Sequence, residues 1–248
     1  MAESRGSGHL RTESMPVIDG FRQRGMEMTR LETFADAAFA FAVTLLVVGG
    51  GDTIPTTFEE MTRAMKQVPA FAASFANIML FWYAHHRWSR RFGLEGPVSV
   101  SLTLLLVFVV LVYVYPLKAL YSGALDFFSG GYLESYFALT SIDDLRIMFV
   151  IFGTGYAALS GVIVLLNRHA LARSDDLILN EFERYETVTE VQHWLINMAV
   201  PLISIGLAIL LPDGLVVVAG MFYAVFGVFL PWHANKRERA RQGIGPAD

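Results

Sequence analysis

The chain has 248 residues, 54% of them hydrophobic and 17% charged, with a formal net charge of −4 and no cysteine. An ordinary soluble domain is about a quarter charged, so this deficit, with the apolar residues gathered in long blocks, points to a polytopic membrane protein. No basic surplus supports nucleic-acid binding, and the lack of cysteine excludes a disulfide framework and thiolate chemistry.

Residues 1–30 are polar and carry no apolar h-region, so no cleavable signal peptide is read in them. They are expected to form a polar cytoplasmic segment whose first fifteen residues are disordered. A bilayer span needs roughly 20 apolar residues. Six such stretches follow, at 31–49, 68–88, 98–115, 147–166, 187–211 and 215–232. Pro116 is expected to stop the third. The Pro212, Asp213, Gly214 turn should join the last two as an antiparallel hairpin. The predicted class is therefore all-α, a six-helix transmembrane domain over 31–233 with a cytoplasmic tail at 234–248.

Loop charge orients this arrangement. With both termini in the cytoplasm, fifteen of the nineteen Lys and Arg residues fall inside. Arg63, Lys66, Lys118 and Arg146 remain for the other face. The positive-inside rule supports this even-span topology.

The first span reads "RLETFADAAFAFAVTLLVV" from Arg30 to Val48. An ionisable side chain in a membrane helix is costly and usually faces protein or water. Asp36 lies about one and a half turns in, where an interfacial position and the helix dipole both suit it. Arg30, Phe34, Ala35, Asp36, then Ala40, Thr44, Leu45 and Leu46, resemble the R-x-x-x-F-S-D and A-x-x-x-T-L-L signature of the lysosomal/endosomal transmembrane potassium channel family, in its bacterial branch. Ser74-Phe75 with Trp82 and His85 resemble that family's second helix, and "LVYVYPL" its third. Two positions depart: Ala35 replaces the signature serine, and Phe41 stands where relatives carry isoleucine or leucine.

The resemblance implies a homotetrameric, potassium-permeable channel in a bacterial inner membrane. Its partners would be further copies of the chain and membrane lipid. There would be no cofactor beyond the permeant potassium ion and no enzymatic activity. The first helix would line the pore, with an apolar constriction at Phe41, Leu45 and Val48 and with Thr44 beside it. Spacing i, i+4, i+7 places those three on one face. The Thr44 hydroxyl is expected to bond back to the Ala40 carbonyl. Arg30, Asp36, His85 and Asn77 are expected to form a structural polar network, since unpaired groups near lipid are costly.

Other motifs carry less. His85-His86 diverge by about 100° on a helix and lack a third ligand, so no metal site is read there. His86, Arg87 and Arg90 are expected among headgroups, and Trp82, Trp88 and Trp232 in the interfacial aromatic belt. "GTGYA" at 153–157 is similar to a potassium-channel filter but lacks a flanking pore helix, so its glycines are read as close helix contacts. Glu190, His193 and Asn197 share a stripe of the fifth span and suggest a helix–helix seam. Two alternatives stand beside the channel. One is a proton-coupled secondary transporter using Asp36, His85, Glu190 and His193. The other is a non-conducting membrane scaffold, suggested by the bulk of Phe41.

Overall fold

The computed structural model describes residues 15–48 and 54–225. A short antiparallel pair comes first, β1 (Val17–Ile18) and β2 (Phe21–Arg22). Asp19 and Gly20 turn it, both at positive φ (54° and 77°), the backbone that a two-residue hairpin loop requires. The helices follow: α1 (Arg30–Val48), α2 (Phe58–Lys66), α3 (Val68–Phe92), α4 (Pro97–Ser129), α5 (Ile142–Ala172) and α6 (Glu181–Leu210). A 3-10 turn (Asp213–Leu215), α7 (Val217–Met221) and a second 3-10 turn (Phe222–Ala224) complete the described chain.

Local chemistry sets these boundaries. Ser141 with Asp144 and Asn180 with Glu183 form reciprocal capping boxes at the starts of α5 and α6, each satisfying helix N–H groups that have no intrahelical acceptor. Thr57 and Glu60 do the same for α2. Gly93 and Gly130 end α3 and α4 in the left-handed conformation. Gln67 is both the C-cap of α2 and the N-cap of α3.

α1, α4, α5 and α6 are each long and apolar enough to cross a bilayer. α3 covers the second predicted span, 25 residues with a polar, arginine-bearing end. Of the sixth predicted span, residues 215–225 are described. Trp232, the tail at 234–248 and the first fourteen residues lie outside the described residues.

The expected stop at Pro116 does not occur. α4 runs through it for 33 residues, to Ser129. A proline removes one N–H and frees one carbonyl, which a long helix tolerates when packing holds both sides of the break. Tyr113, Val114 and Leu117 do so here, all at 2% exposure or less. α6 likewise runs through Pro201.

α5 is the hub, packed along α6 and α4, while α1 leans on α4 and α3. The glycines of the "GTGYA" stretch permit this closeness. A Cβ on Gly155 would stand 2.2 Å from the Tyr113 ring, and one on Gly153 2.8 Å from Ile205 Cγ1. The stretch is helical and sits inside α5. Ser204 on α6 donates to the Ala219 carbonyl at 2.8 Å, closing the antiparallel α6–α7 pairing across the Pro212 turn.

Candidate functional site

α1 has two unlike faces. Ala35, Phe39, Ala42 and Leu46 are buried at 1% or less and belong to the core. Phe41 and Val48 are 55% and 69% exposed, and Ala37 and Thr44 are exposed beside them. At about 100° per residue, the 41, 45, 48 face points roughly 120° away from the buried one. Leu45 sits at its edge, half-buried against the core. Ala37, Phe41, Thr44 and Val48, spaced i, i+4, i+7, i+11, form the stripe turned furthest from the chain's interior. The Thr44 hydroxyl donates to the Ala40 carbonyl at 3.1 Å, which leaves its oxygen able to accept from the open side.

The N-terminal end of α1 is pinned by polar contacts. Asp36 Oδ1 accepts from Trp82 Nε1 at 2.8 Å. Glu32, 2% exposed, faces Arg90 Nε at 3.4 Å and His86 Nδ1 at 3.5 Å. Both partners lie on α3, so α1 and α3 are held together where the apolar region begins.

The four polar residues grouped from the sequence do not form one network. Asp36 binds Trp82, whereas His85 Nε2 meets Thr103 Oγ1 at 3.0 Å and Asn77 Nδ2 donates to Tyr121 Oη at 3.3 Å. Arg30 is exposed and has no ion pair among the described residues. Six residues along a helix turn roughly 240°, so Arg30 and Asp36 face different ways. His85 and Asn77 hydrogen-bond to α4, while Asp36 remains within electrostatic reach of His85.

The residues expected near the membrane surface also have partners within the chain. Trp82 serves Asp36. Trp88 is 3% exposed and donates to the Leu166 carbonyl at 2.9 Å. Trp88 is therefore a core residue rather than part of an interfacial belt, because an indole N–H with a buried acceptor is better placed inside, whereas Trp82 is only half-buried. His86, Arg87 and Arg90 are engaged by carboxylates, Arg87 by Glu190. On the Glu190 stripe, Asn197 accepts from Tyr156 Oη at 3.2 Å and donates to the His193 carbonyl at 2.9 Å, a seam between α5 and α6.

One part of the site had no counterpart in the sequence reading. The hairpin docks under the bundle, with Phe21 fully buried against Phe92 at 5.6 Å and under Arg91 at 4.5 Å. Glu183, at 0% side-chain exposure, takes Arg22 Nη2 at 2.6 Å and Arg24 Nη2 at 2.7 Å. It also accepts the Arg22 backbone N–H at 2.9 Å. Gly25 lies so close to α3 that a Cβ there would be 2.3 Å from the Ser89 carbonyl oxygen. Two sequence signals pointed here: the Asn180-x-x-Glu183 cap, and the alternation of Arg22 and Arg24 on one side of an extended segment.

Comparison with known proteins places this arrangement. The family model described as "Endosomal/lysosomal potassium channel TMEM175" matches residues 30–114, from the start of α1 into α4. A potassium channel of Marivirga tractuosa is 36% identical over 214 residues, covering 83% of this chain and 86% of that protein. The chain belongs to the TMEM175 family. A crystal structure of a variant of the potassium channel MtTMEM175, in complex with a nanobody–MBP fusion, is 32% identical to this TMEM175 protein. It superposes with a TM-score of 0.78 over 90% of this chain and 99% of that one. A TMEM175 homologue from Chamaesiphon minutus, described as a lysosomal potassium-selective channel, is 21% identical, with a TM-score of 0.54 over 84% and 96% of the two chains. That second likeness bears on the fold alone. The family is one of channels and not of enzymes, and the chain is a multi-pass membrane protein.

Proposed function

We propose that this TMEM175 protein is the subunit of a potassium-permeable channel in the bacterial inner membrane. Four copies, each with six spans and cytoplasmic termini, would enclose a pore lined by α1. The observation that carries the reading is the apolar stripe of α1 that the chain's own core leaves uncovered. Phe41 and Val48 are the most exposed large side chains on that side, and in lipid alone such a stripe would define no path for an ion. Further copies of α1 would turn it into stacked rings at Phe41, Leu45 and Val48, with Thr44 supplying hydroxyls between them. The half-burial of Leu45 makes Phe41, Thr44 and Val48 the stronger members.

Apolar rings gate by dewetting and sieve by size, so selectivity for potassium over sodium would be modest. No carboxylate follows Asp36 on α1, which argues against calcium as the favoured ion. The pore needs no resident cofactor. The transporter alternative is less well supported, because Asp36, His85 and Glu190 are engaged by Trp82, Thr103 and Arg87 respectively.

Bilayer recording of the reconstituted protein, with potassium and sodium on opposite sides, tests the reading. A current whose reversal potential follows the potassium gradient is expected. Saturating flux coupled to a second species would make the protein a carrier, and absence of both would make it a scaffold. Native mass measurement in mild detergent should give four chains, and a stable monomer with full flux would refute the shared pore.

A further inference from the structure

A cavity of about 900 Å³ lies between the C-terminal part of α4, the 134–139 loop, the first turns of α5, and α7. Its walls are largely aromatic, including Tyr121, Phe127, Phe137, Phe149 and Phe152. No described residue of α1 lines it, so it is separate from the proposed pore.

The wall also carries Asp126, half-buried in the last turn of α4. Among the described residues no ion pair or hydrogen bond engages its carboxylate. The other acidic residue of the lining, Glu134, already faces Lys66 at 3.7 Å. The C-terminus of α4 adds the negative end of a helix dipole beside Asp126. A half-buried carboxylate on an aromatic wall, engaged by none of the described residues, is placed to take a cation.

Two rings near the cavity, outside its lining, already hold ammonium groups. Lys66 Nζ lies 5.0 Å from the centre of the Tyr132 ring, and Lys118 Nζ 5.1 Å from that of Tyr136. Aromatic faces attract weakly hydrated ammonium groups through their quadrupoles. They offer little to a strongly hydrated metal ion, which would want more oxygen ligands than one carboxylate supplies. The volume suits a drug-sized molecule.

We propose that this cavity is a binding site for lipophilic monovalent organic cations. The ammonium group sits at Asp126, and the apolar portion lies against Phe149 and Phe152. Such a group can come from a free amine or from the headgroup of a membrane lipid.

The test is calorimetric titration of the full-length channel with benzyltrimethylammonium, in nanodiscs made only of phosphatidylglycerol, which has no ammonium. Saturable binding at one site per chain is expected. Asp126→Asn should weaken it by about tenfold, the scale of one charge-assisted contact. Ala124→Trp, which fills the cavity, should abolish it. If that variant fails to fold, the Asp126→Asn comparison decides alone. Repeating the titration with phosphatidylethanolamine in the discs separates the sources. Weaker apparent binding identifies the lipid ammonium as a competitor for the site, and unchanged binding identifies a free amine as its ligand. Absence of saturable binding, or equal affinity in wild type and Asp126→Asn, overturns the proposal.

Discussion

Replacing Phe41 separates a pore-lining ring from a packing residue. Phe41 is 55% exposed in the single chain, while Leu46, five residues along, is fully buried. Shrinking Phe41 therefore removes little from the chain's own core, and the cost to subunit stability should stay within about 0.5 kcal/mol, as for other surface changes. Leu46→Ala should cost about 2–5 kcal/mol and lower the yield of folded protein. For conduction the order reverses. In the proposed tetramer, four phenylalanine rings about one axis would force a potassium ion to shed water with no replacement ligand. If Phe41→Ala lets part of the hydration shell pass and lowers the barrier by about 1.4 kcal/mol, current rises about tenfold. Discrimination against sodium should fall, because a wider and wetter gap no longer sieves. Phe41→Ile should give a smaller rise and keep more of the discrimination. The assay is macroscopic potassium current normalised to reconstituted protein, with bi-ionic reversal potentials. Should Phe41→Ala leave current and selectivity unchanged while Leu45→Ala alters both, the constriction lies one turn further out and Phe41 packs between helices.

Three further outcomes are expected. Asp36→Ala strands the Trp82 indole N–H and should cost about 1–3 kcal/mol, whereas Asp36→Asn keeps an acceptor and should cost clearly less. Thermal unfolding of the two variants in detergent would compare them, and equal losses would show that charge, not the Trp82 bond, matters. Glu183→Ala leaves Arg22 and Arg24 without their shared carboxylate, and breaking a buried pair in this way typically costs about 3–5 kcal/mol. Hydrogen exchange should then show residues 17–25 deprotected before the helices. Gly25→Ala sets a methyl group against the Ser89 carbonyl and should detach the same segment at a cost of about 1–3 kcal/mol. An unchanged melting temperature would mean that the segment shifts without loss.

The elements carried by long apolar runs were legible in the sequence. The first span was expected at 31–49, and the helix is Arg30–Val48. The resemblance pointed to 41, 45 and 48, and helical spacing put them on one face; the structure leaves Phe41 and Val48 exposed there and Leu45 half-buried at its edge. Polar partnerships were less legible. Asp36 and Arg30 are near in sequence and face apart, while Asp36 and Trp82 are 46 positions apart and in contact. A buried hydrogen bond depends on how helices are rotated against each other, and a hydropathy pattern does not record that rotation. Pro116 misled for a related reason. Proline's local cost is fixed, but the packing of Tyr113 and Leu117 that offsets it comes from other helices. The hairpin at 17–22 was missed because its single deeply buried apolar residue, Phe21, makes no periodic signal.

The docking of that hairpin bears on where the chain can be shortened. A boundary drawn from hydropathy alone would start the protein at Arg30 and discard everything before it as a leader. Such a trim would remove the ring that seals Phe92 and uncover the guanidinium of Arg91. It would also leave Glu183 with none of the five hydrogen bonds that Arg22 and Arg24 provide. The usable start lies upstream of Pro16, whose carbonyl accepts from Gln23 and closes the hairpin. Affinity tags, fluorescent fusions and protease sites belong before that residue, and a tag placed between it and α1 would act as a lesion where the hairpin packs on α3 and α6.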